Sequence, residues 1–200
     1  VTLAGAKTKP RKRERLVVDE RRAQLLELGL DAFGARPYDE VSIDDLARAA
    51  KISKGLLYHY FPTKRAYYVA ALRVAAARLL AETETDPSLS PLDRALGGLG
   101  SYLSFAERHG PAYVTLMNGG IGADAEVAAV IEETRRVFID RMLEGREAAT
   151  GQRTDALVRL TVRGFIGLIE ATCIEWIANR TVPREELLAL WMRALAGLFG

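Results

Sequence analysis

Apolar residues recur along this chain at intervals of three and four, and the alternation of valine or isoleucine that marks strands is scarce. The pattern predicts an all-α protein of about nine helices. A first helix is expected from about Asp19 to Ala35. Ile43, Leu46, Ala47 and Ala50 then share one face of a short helix opened by Ser42, with Asp45 three residues on in the reciprocal place of a capping box. The chain turns at Lys51-Ile52, and Ser53 caps another short helix that buries Leu57 and Phe61, four residues apart. After Pro62, a long helix to about Glu84 sets Tyr68, Ala71, Leu72, Ala75 and Leu79 on one side.

Punctuation divides the remainder. Asp86 to Pro91 is a break, with Pro91 in the first turn of a helix reaching about His109. Gly110-Pro111 is a second break, followed by a short helix through about Asn118. Gly119-Gly120-Ile121-Gly122 reads as a hinge: it lacks a dinucleotide fingerprint and follows no predicted strand. Three helices complete the chain, at about Asp124 to Ala149, Thr154 to Asn179 and Pro183 to Phe199.

The short helix after Ser53 carries candidate chemistry. Its outer face displays Lys54, Leu56, Tyr58, His59 and Tyr60, and a helix with a cation, phenols and an imidazole outside fits a DNA major groove. Thr63 and Lys64 open the next helix, where free amides and an ammonium favour a phosphate. Ser53, Lys54, Leu56, Tyr58 and His59 are the candidates for the groove; Ser42, Tyr60 and Lys64 are those for phosphate. Leu56 offers only an apolar contact, such as one to a thymine methyl.

Over Ser42-Ile43-Asp44-Asp45-Leu46-Ala47, Ile52-Ser53-Lys54-Gly55 and Leu57-Tyr58-His59-Tyr60-Phe61-Pro62-Thr63-Lys64, the sequence resembles the tetracycline-repressor (TetR) family of bacterial transcriptional regulators. Many members carry Thr where this chain has Leu56, so base preference there is open. The resemblance is close over the first third and rests on length and helical character beyond it. It implies a helix-turn-helix DNA-binding domain at residues 19–66, a ligand-binding and dimerisation domain at 67–200, and ligand-released repression. Residues 1–18 are expected to be a flexible basic arm.

Net charge supports that division. Through Tyr68 there are 14 Lys and Arg against 9 Asp and Glu; beyond it, 14 against 17. Lys7, Lys9, Arg11, Lys12, Arg13 and Arg15 concentrate the excess at the start, either to follow DNA phosphates or as a solvated tail. Two hundred residues can bury about 70% of the unfolded surface. Cys173, the lone cysteine, excludes an internal disulfide and suits a reducing compartment. No apolar run approaches the roughly 20 residues of a bilayer span, and Val1 to Ala6 is shorter than a signal-peptide core of about 7 to 15. A cytoplasmic protein associated with the bacterial nucleoid is expected.

Two further sites are expected in the larger domain. Leu157, Leu160, Thr161, Gly164, Phe165, Leu168 and Thr172 make one broad face, and Leu187, Leu188, Trp191, Leu195 and Leu198 exceed one buried stripe. These two helices are expected to pair with their copies in a homodimer, Gly164 and Gly167 permitting close approach. Tyr102, Phe105, Tyr113, Met117, Phe138, Met142, Phe165 and Trp176 are the candidates for an apolar effector pocket, with Glu170 and Glu175 as polar contacts. Glu132, Glu133, Arg135 and Arg136 read as a solvated face. His59, His109 and Cys173 have no spacing that suits a metal or a nucleophile with its base, so no enzyme, cofactor or metal is expected. An architectural DNA-binding protein and an activator remain the alternatives to a repressor.

Overall fold

A computed structural model describes residues 11–117 and 124–199. The described residues form helices α1 (Arg11–Ala35), α2 (Ile43–Ala49), α3 (Lys54–Tyr60), α4 (Lys64–Glu82), α5 (Pro91–Arg108), α6 (Gly110–Met117), α7 (Ala125–Thr150), α8 (Ala156–Asn179) and α9 (Arg184–Phe199). No strand occurs among them. None of these helices is long and apolar enough to cross a membrane. The expected Gly119 to Gly122 hinge lies outside the described residues.

Two boundaries differ from expectation. Helix α1 begins at Arg11 rather than near Asp19, so the second half of the supposed arm is helical. The cause is local: after Pro10 no helix breaker intervenes, and Arg, Lys, Glu and Leu are all good helix formers. The first ten residues lie outside the described part. A 3-10 turn at Tyr38–Glu40 was not foreseen; Pro37 fixes its entry, and the Pro37 carbonyl accepts from the Glu40 amide at 3.0 Å.

One core gathers the first four helices. Leu25, Leu26 and Phe33 of α1 meet Ile43, Leu46 and Ala47 of α2, Leu57 of α3 and Tyr67, Tyr68 and Leu72 of α4. Phe61 stacks on Tyr67 with ring centres 4.3 Å apart. The buried Tyr67 hydroxyl donates to the Leu25 carbonyl, where a lost partner would leave a polar group dry. Gly29 makes this crossing possible, because a Cβ there would lie 2.8 Å from the Tyr67 ring. Val127 and Val130 of α7 join the same core, so α7 is keyed into the first four helices by its opening turns.

Arg65 reinforces that junction. Its guanidinium grips the carboxylate of Asp124, the N-cap of α7, with Nη2 to Oδ1 at 2.9 Å, and reaches Glu126 at 2.7 Å. The Arg65 hydrogen bonds hold the Asp124 carboxyl down at about 2. A second core lies among α5, α6, α8 and α9, centred on Leu103, Phe165, Cys173 and Trp191.

Two substitutions test the crossing and the clamp. Gly29→Ala should cost about 1–3 kcal/mol despite its better helix propensity, seen as a lower thermal midpoint. Asp124→Asn keeps a capping side chain and removes the charge. Because the folded value is depressed, the carboxylate stabilises above its unfolded value of about 3.9, and that contribution disappears as pH falls through about 2. Thermal midpoints of the two proteins should therefore differ at neutral pH and converge in acid.

Candidate nucleic-acid interface and effector cavity

The turn between α2 and α3 is built without glycine. Lys51 takes the left-handed conformation at φ 55°. Its amide bonds the Arg48 carbonyl at 3.1 Å, and the Ile52 amide bonds the Ala47 carbonyl at 3.0 Å, closing α2 while Ile52 packs on the first core. Ser53 then accepts the Leu56 amide at 3.1 Å. Leu57 is fully buried on the inner side of α3. Lys54, Leu56, Tyr58 and His59 are left outside, Leu56 at 41% and Tyr58 at 38% exposure.

Each sequence candidate has a definite place. Ser42 caps α2 by accepting the Asp44 amide at 3.1 Å; its own O–H proton stays available. The reciprocal box with Asp45 does not form, since that short carboxylate pairs instead with Arg48 at 2.9 Å. Lys54 folds back on Asp44 at 2.9 Å, an exposed pair that water and salt screen and that a phosphate could replace. Tyr60 is half-buried against the first core, with the His59 ring against its edge. Thr63 caps α4 by accepting the Ala66 amide at 2.9 Å. Lys64, in the first turn of α4, lies 4.3 Å from the centre of the Tyr38 ring.

A cavity of about 690 Å³ opens between α4 and the helices that follow it. Of the eight proposed lining residues, seven are on its wall: Tyr102, Phe105, Tyr113, Met117, Phe138, Met142 and Phe165. Trp176 is not. Its indole N–H donates to the Val182 carbonyl at 2.7 Å, so it closes the turn between α8 and α9 beneath the Arg180 guanidinium. Glu175 is exposed and bonded to Asn179 at 2.6 Å. Glu170 does line the cavity.

The polar part of the wall contains a residue the sequence reading assigned to solvent. Arg135 turns inward from α7 and holds Glu170 through two bonds, Nε to Oε1 at 2.7 Å and Nη2 to Oε2 at 2.8 Å. Its neighbours Glu132, Glu133 and Arg136 are exposed as expected. A signal was present, because Arg135, Phe138 and Met142 are spaced three and four apart on one helical stripe. Arg141 also faces the cavity and donates to the Leu80 carbonyl at 2.8 Å, capping the end of α4. Tyr102 and Tyr113 share a hydrogen bond at 2.6 Å. Burial pushes both phenols well above their ordinary value, so they stay protonated.

The outer sides of α8 and α9 are uncovered. Leu157 is 70% and Leu160 67% exposed, and Leu190 is exposed on α9. A Cβ at Gly164 or Gly167 would meet nothing within 4 Å. Phe165, on the other side of α8, belongs to the interior, and Thr172 accepts the Trp191 indole N–H at 2.8 Å, so the broad face read from sequence splits in two.

Comparisons with known proteins agree with this arrangement. Residues 25–71 match the family described as bacterial regulatory proteins, tetR family, and residues 91–198 match the tetracyclin repressor-like C-terminal domain. The chain is 25% identical to the HTH-type transcriptional activator FasR of Mycolicibacterium smegmatis, over 88% of this chain and 81% of that protein. It is 26% identical to the HTH-type transcriptional repressor KstR of Rhodococcus jostii, over 81% of this chain and 75% of that protein. A tetR-family transcriptional regulator from Streptomyces coelicolor superposes with a TM-score of 0.83 at 35% identity, covering 90% of this chain and 80% of its own. With a helix-turn-helix at one end and a helical domain enclosing a cavity at the other, the chain belongs to the TetR family of bacterial transcriptional regulators.

Proposed function

We propose that this regulator binds a palindromic operator as a homodimer, represses from it, and is released by a small apolar or aromatic effector. The exposed face of α3 carries the reading: Lys54, Leu56, Tyr58 and His59 stand together on a helix whose inner side buries Leu57 completely. Ser53 has its hydroxyl proton to offer at the same helix end, while Ser42, Tyr60 and Lys64 flank it for phosphate. Residues 19–66 form the DNA-binding unit and residues 67–200 the effector-binding and dimerisation unit, acting in the cytoplasm on the nucleoid. The basic cluster at the start of the chain, Lys7, Lys9, Arg11, Lys12, Arg13 and Arg15, adds cations along the backbone of the duplex. The partners are double-stranded DNA, a second copy of the chain and the effector; catalysis and cofactors have no part.

Dimerisation through α8 and α9 would cover Leu157, Leu160 and Leu190, which are exposed among the described residues. Two copies of α3 related by a twofold axis would enter successive major grooves about 34 Å apart. The effector acts through α4, which contributes Leu72, Ala75 and Leu79 to the cavity wall and opens with Lys64 beside the DNA-reading helix. Release requires the effector to prefer the spacing that DNA does not. The likeness to FasR favours a second reading, an activator of the same fold, which transcript levels in a deletion strain would separate from repression.

Gel-shift titration is the first test. The protein should prefer its own operator over random duplex by about a thousandfold at physiological salt, and equal affinity would favour an architectural protein instead. Lys64→Ala should weaken binding to every sequence and flatten the salt dependence by about one unit per subunit, while His59→Ala should change the ranking of operator variants. Two unaltered binding curves would refute this placement of the interface. For the dimer, Leu160→Glu should raise the dissociation constant by about a hundredfold, since a buried Leu is worth roughly 1.5–3 kcal/mol and is lost from both subunits. Sedimentation measures this, with circular dichroism expected to be unchanged.

A further inference from the structure

Part of the cavity wall belongs to an aromatic cluster around one side chain. The Tyr102 ring meets the edges or faces of Tyr113, Phe138 and Trp191, with centres 6.2, 5.9 and 6.3 Å away. Trp191 is itself fixed through its indole bond to Thr172. In this cluster the only polar atoms the tyrosines contribute are their two hydroxyls, bonded to each other at 2.6 Å. The Cys173 thiol, within hydrogen-bonding reach of the Tyr113 hydroxyl, stays protonated because burial pushes it up to about 12.

The hydrogen-bond inventory of this cluster is unbalanced. Each phenol has one proton to give and two lone pairs to accept with. The shared bond uses one proton, so the phenol that accepts has a proton left over. With Tyr102 donating to Tyr113, the spare proton belongs to Tyr113 and the thiol can take it. With the direction reversed, the thiol can donate to Tyr113 and the spare proton belongs to Tyr102, a residue of the cavity wall. The chain can therefore present a visitor with a donor or with lone pairs by reversing its direction, without moving a heavy atom.

We propose that this cluster recognises one uncharged oxygen, a carbonyl or a hydroxyl, on an otherwise apolar aromatic body. The inference rests on the reading of the cavity as an effector site and names the chemistry of that effector. A hydrocarbon of the same shape displaces water and leaves the hydroxyls unanswered. A carboxylate fares no better. The cation bearing on the Tyr102 hydroxyl is Arg135, which already spends Nε and Nη2 on Glu170; Arg78 and Arg141, elsewhere on the wall, are engaged with Glu27 and the Leu80 carbonyl. An anion placed against the phenols would be desolvated without a cation of its own there.

Calorimetric titration of the full, DNA-free chain with four naphthalenes of matched body tests the assignment. 2-Acetylnaphthalene and 2-naphthol should bind about tenfold more tightly than naphthalene and 2-naphthoate, the worth of one net hydrogen bond. The double variant Tyr102→Phe, Tyr113→Phe should lose that preference and keep the affinity for naphthalene. Naphthalene or 2-naphthoate binding as tightly as the neutral oxygenated probes, no binding by any of the four, or a double variant that keeps the preference would each overturn it. The ranking in the unaltered chain decides the matter even if the double variant does not fold. Because no DNA is present, a protein that ignores its operator would still show the ranking, and a protein that lacks the ranking would still be free to bind its operator.

Discussion

Helix α4 must satisfy two interiors at once, and the rest of the molecule is arranged around that demand. Tyr67 and Tyr68 face the first core, where Phe61 and Phe33 stack or pack edge-on against them. Leu72 and Leu79, further along, border the cavity. A surface helix needs a single apolar stripe; α4 buries Tyr67, Tyr68, Val69, Ala71 and Leu72 in succession and is covered on more than one side. The close approach at Gly29 and the clamp from Arg65 to Asp124 and Glu126 both fasten this helix to its neighbours. The helix-turn-helix and the cavity thus have a common structural member.

Much of this was legible in the sequence because it is local. The caps at Ser42, Ser53, Thr63 and Asp124, the breaks before Pro91 and after Arg108, and the burial of Leu57 all follow from residues a few positions apart. The misreadings are of other kinds. Tyr67 was missed because α4 is buried on an additional face, which one stripe of apolar residues does not reveal. Arg135 was read as solvated because its charge outweighed its position on the stripe of Phe138 and Met142. Trp176 was placed in the cavity because it is aromatic, yet the carbonyl that holds it belongs to Val182, beyond the end of its helix. Helix α1 starts earlier than the cluster of cations after Pro10 suggests, because Arg, Lys and Glu also favour helix.

The polar groups of the cavity region differ in what they can do. Arg135 and Glu170 neutralise each other with two short bonds, and removing either would strand the other's charge away from water. They hold α7 to α8. Tyr102 and Tyr113 are neutral, and their shared bond commits only part of what they can donate and accept. Such a wall is rigid in its charges and adaptable in its hydroxyls.

The tight crossing of Tyr67 over Gly29 has a mechanical consequence. It locks α4 to α1 near the first turn of α4: Lys64 lies three residues before it, about 4.5 Å along the helix axis, whereas Leu79 on the cavity wall lies twelve residues beyond it, about 18 Å. A tilt imposed on α4 at the cavity would reach its first turn as the same angle. Since α1, α2 and α3 share a core with α4, they turn with it as one body. Helix α3, part of that body, would change its pitch through the same angle.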